Sequence, residues 1–369
     1  MSGSRTTVPQ FVPRAAYRDI PLYGGGAAEP VSMDLSDNTN QWGTPPAAAR
    51  ALAAAPPSLA TRYPEAYAPE LTRAIASYVG VGEDMIVTGC GYDQVLDCAF
   101  RALADPGSIV AHLDPSFVIV PSFARANSLR PLGVPWHSSG TPDEPVLEVD
   151  EQALLATDAR IIYLCSPNNP TGTVIEPSVI ERIAARAQGV AIVDEAYAEF
   201  GAWSAVSLLP KNPNLLVVRT FSKAFGLAGL RIGYAVGNPT LVRECAKARG
   251  PYALSAYAEP AALAALREDL PWVRAHVAEA TAARERLTRA LREAGGYRVY
   301  PSGANFVLAA PDERLPDAMT IARSLRSAGI AVRAFRDLPG IGGALRVTVA
   351  PWPMMERLLA AMPVPGGRS

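Results

Sequence analysis

The chain has 369 residues, 49% of them hydrophobic, and its formal net charge is −1 at pH 7. This length favours two domains, and a charge so close to zero argues against nucleic acids and anionic membrane surfaces as partners. No apolar run reaches the roughly 18 residues of a membrane-spanning helix, and no hydrophobic signal core precedes the first motifs. Both observations predict a cytoplasmic protein. The cysteines and histidines lack metal-ligand spacing, so we expect no metal site.

The first half of the chain begins with an irregular segment and continues with regular elements. Residues 1–46 are rich in Pro, Gly and Asn, which predicts an N-terminal arm. Pro69 at a first-turn position and Gly80 as a stop signal indicate a helix between them. Local patterns further predict a helix at 47–55, a strand at 85–88, a helix at 93–104 and a strand at 108–112.

The second half alternates apolar runs with helical patterns and then changes character. Strands are predicted at 161–165, 190–193, 215–219 and 232–236, with a helix at 177–187. These runs are continuously apolar, which is typical of parallel strands covered by helices on both faces. Long helices are expected from about 258 to 295. Beyond them, strands at 306–308, 330–333 and 345–349 mix with helices at 315–328 and 352–361.

These patterns predict an α/β protein with two domains. The larger domain, residues 47–275, should contain a mostly parallel sheet sandwiched by helices. The smaller domain, residues 276–369, should be of the α+β type. Ligands of such open sheets bind at the carboxyl ends of the strands, so the turns that follow the predicted strands are the places to look for a site.

Lys223 lies in the most informative of these turns. It follows the strand at 215–219, with the hydroxyls of Thr220 and Ser222 before it and Arg231 eight residues after it. An amine, two hydroxyls and a guanidinium together suit a ligand that has both a carbonyl and a phosphate, as pyridoxal phosphate (PLP) does. A lone lysine after a strand is usually a surface residue, but these neighbours favour a ligand site.

Three other turns have distinctive residues. The glycine-rich segment 88–94 opens a helix, so its N–H groups could bind phosphate, although a tight strand-to-helix turn explains it equally well. The segment 166–172 is a rigid loop with two prolines, in which an Asn-Pro bond can be cis, or it is an ordinary turn. Asp194 ends a buried strand, so it must be paired or neutralised unless it serves as a helix N-cap.

Taken together, these segments resemble the class I/II aminotransferases, which are PLP enzymes of fold type I. The most similar branch is that of the histidinol-phosphate aminotransferases. The resemblance covers about residues 34 to 361, with matching motif order and spacing. It implies ping-pong transfer of an amino group between an L-amino acid and a 2-oxo acid, with PLP as cofactor.

The resemblance also implies roles for individual residues. Lys223 would form the Schiff base with PLP and move the proton during the reaction. Asp194 would pair with the pyridinium nitrogen and keep the ring cationic. Asn169 and Tyr197 would donate hydrogen bonds to the ring oxygen O3′. The phosphate would be held by Arg231, by the Thr220 and Ser222 hydroxyls, and by N–H groups near Tyr92 and Asp93.

Further matches concern the subunit contact and the substrate. Tyr63 corresponds to a tyrosine that reaches the phosphate of the neighbouring subunit, which implies a homodimer with a shared site and an arm that helps to form the dimer contact or the small domain. Arg346 corresponds to the arginine that binds the substrate α-carboxylate. Arg333 and Tyr23 correspond to positions near the substrate side chain or its phosphate.

Four positions depart from the family pattern. The family's Asn-Glu-Asn is Asn38-Thr39-Asn40 here, its Ser/Ala-Asp-Glu is Tyr92-Asp93-Gln94, and a glycine is Ala350. The ring-stacking aromatic falls at Val120, and a valine cannot stack on a pyridine ring, although Phe117 or Tyr92 could supply one. These departures favour a substrate other than histidinol phosphate, such as one of specialised metabolism.

Alternatives to that interpretation stay open. The chain could catalyse a different PLP reaction, such as decarboxylation, elimination, cyclisation or oxidation, or it could be a genuine histidinol-phosphate aminotransferase. A PLP-sensing transcription regulator is disfavoured, because such regulators need a whole DNA-binding domain ahead of the aminotransferase-like part.

Overall fold

The computed structural model describes residues 12, 14–18, 20–22, 30–141 and 144–366. The strands are β1 (Met33–Leu35), β2 (Ile86–Cys90), β3 (Ile109–Asp114), β4 (Arg130–Pro135), β5 (His137–Gly140), β6 (Pro145–Glu148), β7 (Ile161–Cys165), β8 (Val190–Asp194), β9 (Leu215–Thr220), β10 (Ile232–Gly237), β11 (Tyr297–Val299), β12 (Phe306–Pro311), β13 (Ile330–Leu338) and β14 (Gly342–Thr348). The α-helices are α1 (Pro46–Ala53), α2 (Pro69–Val79), α3 (Gly91–Leu103), α4 (Ile119–Ala126), α5 (Glu151–Leu155), α6 (Pro177–Arg186), α7 (Pro239–Ala248), α8 (Ala258–Glu268), α9 (Leu270–Ala294), α10 (Ala318–Ser327) and α11 (Trp352–Ala361).

A seven-stranded sheet forms the centre of the large domain, in the order β2-β10-β9-β8-β7-β3-β4. Strand β10 runs antiparallel to both of its neighbours, while the other adjacent pairs are parallel. Every residue of β7, β8, β9 and β10 is buried. The continuously apolar runs therefore reflect helices on both faces of a mostly parallel sheet, and the predicted fold class is confirmed.

Side chains that alternate along each strand enter two separate cores. On β7, Tyr163 packs in one core together with residues of α3, α4 and α7. Leu164 belongs to the other core, which includes residues of α2, α6, α8 and α9. This alternation follows from the two-residue period of a strand. It also decides which side chains at the carboxyl end of each strand can reach a common site.

The junction between β2 and α3 differs from the prediction. The strand extends to Cys90, because its pairing with β10 continues as far as the Cys90–Ile232 pair. The helix then begins at Gly91, whose φ is +76°. A side chain at that position would place its Cβ 2.5 Å from Nη2 of Arg231. Only glycine therefore permits this turn and the close approach of the arginine.

A five-stranded sheet in the order β1-β13-β14-β12-β11 forms the second layer of structure. Strand β1 joins it from the N-terminal part of the chain, parallel to β13. The long helix α9 packs against β11 and β12, and the predicted domain boundary at 275/276 falls inside this helix. The division into domains at that residue stays a prediction.

Several short elements were not predicted from the sequence. Strand β4 is the last strand of the large sheet and contains two prolines and a glycine, residues that sheets tolerate mainly at an edge. Strand β1 has three residues, too few to show a period. Within the described ranges, no helix is both long and apolar enough to cross a membrane, and no group of three His, Cys, Asp or Glu side chains could hold a metal ion.

Candidate active site

A cavity of about 620 Å³ opens at the carboxyl ends of β8 and β9. Its wall also includes the start of α3, the segment 36–39 before α1, and parts of β13 and β14. Among the residues predicted for the site, Tyr63 lies outside this wall and Tyr23 lies outside the described residues. All the others line the cavity: Tyr92, Asp93, Asn169, Asp194, Tyr197, Thr220, Ser222, Lys223, Arg231, Arg333 and Arg346.

Lys223 presents a reactive amine to this cavity. Its Nζ donates a hydrogen bond to the Asp37 carbonyl at 2.9 Å and lies 5.9 Å from the centre of the Tyr197 ring. Burial lowers the pKa of the Lys223 amine to about 8. A sizeable fraction of the amine is therefore neutral and nucleophilic at mildly alkaline pH, as a lysine that attacks a carbonyl must be.

Asp194 places a carboxylate in the interior, with 2% of its surface exposed. Its Oδ1 accepts a hydrogen bond from the Ala196 N–H at 2.9 Å, and its Oδ2 accepts one from the Tyr92 hydroxyl at 2.8 Å. Burial raises the pKa of the Asp194 carboxyl. No lysine or arginine of the described chain forms an ion pair with it. Since a buried carboxylate without a cation is costly, the position suits a cationic ring nitrogen.

Asn169 and Tyr197 are held by neighbours that occupy their acceptor atoms. Arg346 donates from Nη1 to Oδ1 of Asn169 at 2.5 Å, and Asn38 donates from Nδ2 to the Tyr197 hydroxyl at 2.9 Å. Burial raises the pKa of the Tyr197 phenol, so it keeps its proton. The Asn169 amide and the Tyr197 hydroxyl can therefore both donate to an oxygen bound in the cavity.

The anion-binding features of the cavity cluster where α3 begins. The hydroxyls of Thr220 and Ser222 are 2.9 Å apart, and Nη2 of Arg231 lies 3.1 Å from Oδ2 of Asp93 in the first turn of α3. First-turn N–H groups of a helix attract anions, and a guanidinium binds phosphate oxygens in a fixed fork. The Thr220 and Ser222 hydroxyls, Arg231 and the first-turn N–H groups of α3 therefore suit a phosphate group, and together they are the phosphate-type cluster.

Two arginines of the five-stranded sheet form another part of the cavity wall. Arg333 on β13 is the direct cross-strand partner of Arg346 on β14, and both line the cavity. Arg346 is 8% exposed and also donates to the Ser36 carbonyl at 2.6 Å. Two neighbouring guanidiniums can bind a carboxylate or a phosphate of a substrate.

The segment 36–38 is a part of the site that sequence reasoning missed. Successive carbonyls of Ser36 and Asp37 accept hydrogen bonds from Arg346 and Lys223. Asn38, with φ +60° and 1% of its surface exposed, follows them. The only signal in the sequence was the match of 38–40 to a family motif. Local patterns could not have shown that this segment contacts residues 186 and 310 positions away.

The position at which the family has a ring-stacking aromatic does not lie in the cavity wall. Val120 is completely buried in the core and does not line the cavity. Phe117, one of the two suggested substitutes, does line it and meets the Tyr92 ring edge-on at a centroid distance of 5.9 Å. Val120 therefore forms no part of the cavity wall, because this position of α4 faces the core.

Tyr63 lies away from the cavity of its own chain. Its side chain is 83% exposed and stacks on Tyr252 at a centroid distance of 4.9 Å. A role in phosphate binding thus requires a second chain, as the sequence prediction assumed. That contact stays a prediction.

Comparison with known proteins places the chain in a family. The model of the aminotransferase class I and II family matches residues 30–362, so the chain belongs to that family. The histidinol-phosphate aminotransferase 1 of Burkholderia pseudomallei is 37% identical over 355 residues, which are 94% of this chain and 96% of the relative. The histidinol-phosphate aminotransferase of Caldanaerobacter subterraneus is 34% identical over 300 residues, 81% of this chain and 83% of the relative.

A solved structure gives the same assignment. The histidinol-phosphate aminotransferase from Sinorhizobium meliloti, crystallised with pyridoxal 5′-phosphate, matches with a TM-score of 0.84 and 25% identity over 97% of this chain and 98% of that one. The chain is accordingly an aminotransferase of fold type I in the histidinol-phosphate aminotransferase-like branch. The resemblance inferred from the motifs is confirmed.

Proposed function

We propose that the protein is a PLP-dependent aminotransferase with Lys223 as its catalytic lysine. One observation carries the proposal: an amine with a lowered pKa shares a cavity with the buried carboxylate of Asp194 and the phosphate-type cluster around Arg231. These three features correspond to the carbonyl, the ring nitrogen and the phosphate of PLP. The bound cofactor in the related S. meliloti structure supports the same choice.

Each residue then has a defined task. When bound, PLP supplies an electrophilic carbonyl and a ring that accepts electrons from the substrate. Lys223 would hold the cofactor through its amine and, when that amine is free, would act as the base that moves a proton from the substrate. Asp194 would keep the ring nitrogen protonated. Asn169 and Tyr197 would donate to the ring oxygen O3′. Arg231, Thr220, Ser222 and the first-turn N–H groups at Tyr92 and Asp93 hold the phosphate.

For the substrate, we propose histidinol phosphate as the amino donor and a 2-oxo acid as the acceptor. The related proteins named above are histidinol-phosphate aminotransferases, and the comparisons give no support for the different substrate that the sequence departures favoured. Histidinol phosphate carries a phosphate and no carboxylate, whereas the 2-oxo acid carries a carboxylate. The guanidiniums of Arg333 and Arg346 suit both groups.

The assembly is proposed to be a homodimer with a site shared between subunits. Support comes from a group of exposed aromatic side chains at one surface, in which Tyr63, Tyr67 and Tyr252 are 83%, 47% and 50% exposed. Aromatic residues are enriched at protein interfaces. In this arrangement Tyr63 reaches the phosphate of the neighbouring subunit's cofactor.

A panel of amino donors with several 2-oxo acids tests the substrate. It should include histidinol phosphate together with aromatic, acidic and guanidino amino acids, with the PLP-loaded protein and product analysis by mass spectrometry. We expect transamination with the highest kcat/KM for histidinol phosphate. A different preferred donor would refute the substrate assignment. Release of ammonia, carbon dioxide or peroxide without a new amino acid would refute transamination.

A further inference from the structure

Oδ2 of Asp194 accepts hydrogen bonds from side chains that have no role in the proposed function as donors to this carboxylate. Oδ2 accepts from the Tyr92 hydroxyl at 2.8 Å and from the Tyr163 hydroxyl, and the Cys165 thiol lies 3.4 Å away. The two tyrosine oxygens are themselves 3.2 Å apart. Tyr92, Tyr163 and Cys165 are called the donor cluster below. Two of its members come from β7 and one from the first turn of α3.

The donor cluster is buried and protonated. Tyr163 is fully buried, Cys165 is 1% exposed and Tyr92 is 7% exposed. Burial raises the pKa of both phenols and of the thiol, so all three keep their protons and can act only as donors towards a carboxylate. Hydrogen bonds to a charged acceptor are stronger than those between neutral groups.

The charge of Asp194 depends on these donors. Burial raises the pKa of its carboxyl, whereas hydrogen bonds from Tyr163, Tyr92, Cys165 and the Ala196 N–H lower it. The other titratable groups that line the cavity are Tyr197, Lys223 and His112 of β3, together with three carboxyls and three guanidiniums: Asp37, Asp93, Asp114, Arg231, Arg333 and Arg346. Since no cation of the described chain pairs with Asp194, hydrogen bonds stabilise its charged form before a cofactor binds, with Tyr163 first, then the Ala196 N–H and the Tyr92 hydroxyl.

We propose that Tyr92 and Tyr163 are positioning residues that keep Asp194 ionised, so that it holds the ring nitrogen of the cofactor in its protonated form. This inference rests on the proposed PLP function. Tyr92 stands where the related family pattern has serine or alanine, side chains too short to form this bond from the same turn. The contribution of Tyr92 is therefore a departure of this chain from the family pattern.

The test uses pyridoxamine 5′-phosphate labelled with ¹⁵N in the ring, which binds without a covalent bond to Lys223. Its ¹⁵N chemical shift reports whether the ring nitrogen is protonated. A second ligand, the analogue with C–H in place of that nitrogen, cannot pair with Asp194. Binding of both ligands is measured for wild type, Tyr163→Phe, Tyr92→Phe and the double variant. Tyr234→Phe is the matched control, because Tyr234 is 1% exposed in the same sheet and its hydroxyl does not contact Asp194.

We expect the ring ¹⁵N shift of wild type to be that of a protonated nitrogen, and to move towards the unprotonated value in the Phe variants. The preference for the nitrogen ligand over its analogue should fall about tenfold or more in the double variant, because charged hydrogen bonds are lost. Tyr234→Phe should leave both quantities unchanged.

The outcomes separate this inference from the proposed function. If wild type binds neither ligand, the PLP assignment itself fails. If wild type binds the labelled ligand but the ¹⁵N shift and the ligand preference are the same in all variants, Tyr92 and Tyr163 have only a structural role and the inference is wrong. Should the double variant not fold, each single variant removes one donor and gives the same readouts, with circular dichroism confirming its fold.

Discussion

The amine of Lys223 loses its proton more easily than an ordinary lysine because burial reduces the hydration of its charged form. Burial is the largest cause of the lowered pKa, and the positive charges of Arg346 and Arg231 lower it further, while Asp37 and Asp93 oppose them. The neutral amine attacks carbonyls, so this environment prepares the residue for covalent chemistry.

The pH dependence of Lys223 acylation follows from this pKa. Because only the neutral amine reacts, labelling of the cofactor-free protein should rise with pH and reach half of its maximum near pH 8. Peptide mass spectrometry after a short exposure to an acylating reagent measures it, with Lys223→Arg as the control that loses the labelled peptide. A half-maximum at the ordinary lysine value of about 10.4 would contradict the burial argument.

Asn38 is the second residue whose contacts predict a measurable effect. Its amide donates to Tyr197 and its Oδ1 accepts from the Thr348 hydroxyl, all in a buried environment. Asn38→Ala leaves buried polar groups unpaired and should lower the free energy of unfolding by about 1–3 kcal/mol. Urea denaturation measures this change.

Thr39→Ala is the matched control for Asn38. The Thr39 hydroxyl bonds only to Asp37 and Gln41 close to it in sequence, so its removal should change stability by less than about 0.5 kcal/mol. Equal effects of the two substitutions would show that the long-range contacts of Asn38 contribute nothing.

At the scale of elements, the start of α3 connects backbone conformation with the phosphate-type cluster. Gly91 allows the strand β2 to turn directly into the helix while the Arg231 guanidinium lies against it. The first-turn N–H groups, Arg231 and the two hydroxyls after β9 are thereby brought together. A sharp turn between a strand and a helix thus determines where an anion can bind.

Gly91→Ala should weaken phosphate binding through this turn. The new Cβ displaces the Arg231 side chain, so affinity for pyridoxamine 5′-phosphate should fall about tenfold, while affinity for pyridoxamine without its phosphate changes little. Calorimetric titration measures both constants. Gly107→Ala is the control, because Gly107 also has a positive φ, +90°, but its Cβ would meet nothing within 4 Å.

Backbone strain alone should cost both glycine variants on the order of 1–2 kcal/mol of stability. Only the Gly91 substitution should affect the phosphate ligand. A loss of the same size with both ligands would mean that the turn, and not Arg231, is what the substitution disturbs.

At the scale of the whole molecule, the cavity takes its wall from two sheets. Asp194 ends strand β8 of the large sheet and Lys223 lies in the turn that follows β9, whereas Arg333 and Arg346 belong to the small sheet. The segment 36–38 links them, since its carbonyls bond both Lys223 and Arg346. Substrate anion and cofactor would thus be held by different layers, which makes the relative placement of the sheets part of the site.

Subunit mixing tests the proposed shared site. Lys223→Ala and Tyr63→Ala should each strongly reduce activity alone. In mixed dimers, one site combines the native Lys223 of one chain with the native Tyr63 of the other. If both variants dimerise equally well, activity should recover to about a quarter of wild type, because half of the dimers regain one of their two sites.

The control for mixing is a chain with both substitutions, which should restore nothing when combined with either single variant. Sedimentation confirms that chains have exchanged. Absence of recovery after confirmed exchange would show that Tyr63 serves its own chain or no site at all.

The sequence by itself determined the fold class, the family and most of the polar residues that gather at the ends of the large-sheet strands. Continuous apolar runs report burial of each strand locally, and the ends of parallel strands meet at one edge in any sheet of this type. Residues such as Lys223, Asp194 and Arg231 could therefore be predicted to gather without knowledge of the strand order.

Only the tertiary structure decided which atoms meet. The bonds of Tyr92 and Tyr163 to Asp194 require that α3 packs against the ends of β7 and β8. The bonds that the Ser36 and Asp37 carbonyls accept require that β1 joins a sheet whose other strands lie almost 300 residues later in the chain. That Phe117 lines the cavity while Val120 is buried depends on how α4 and the residues before it pack against the core. Such contacts follow from long-range packing and register, which the local periodicity of a sequence does not encode.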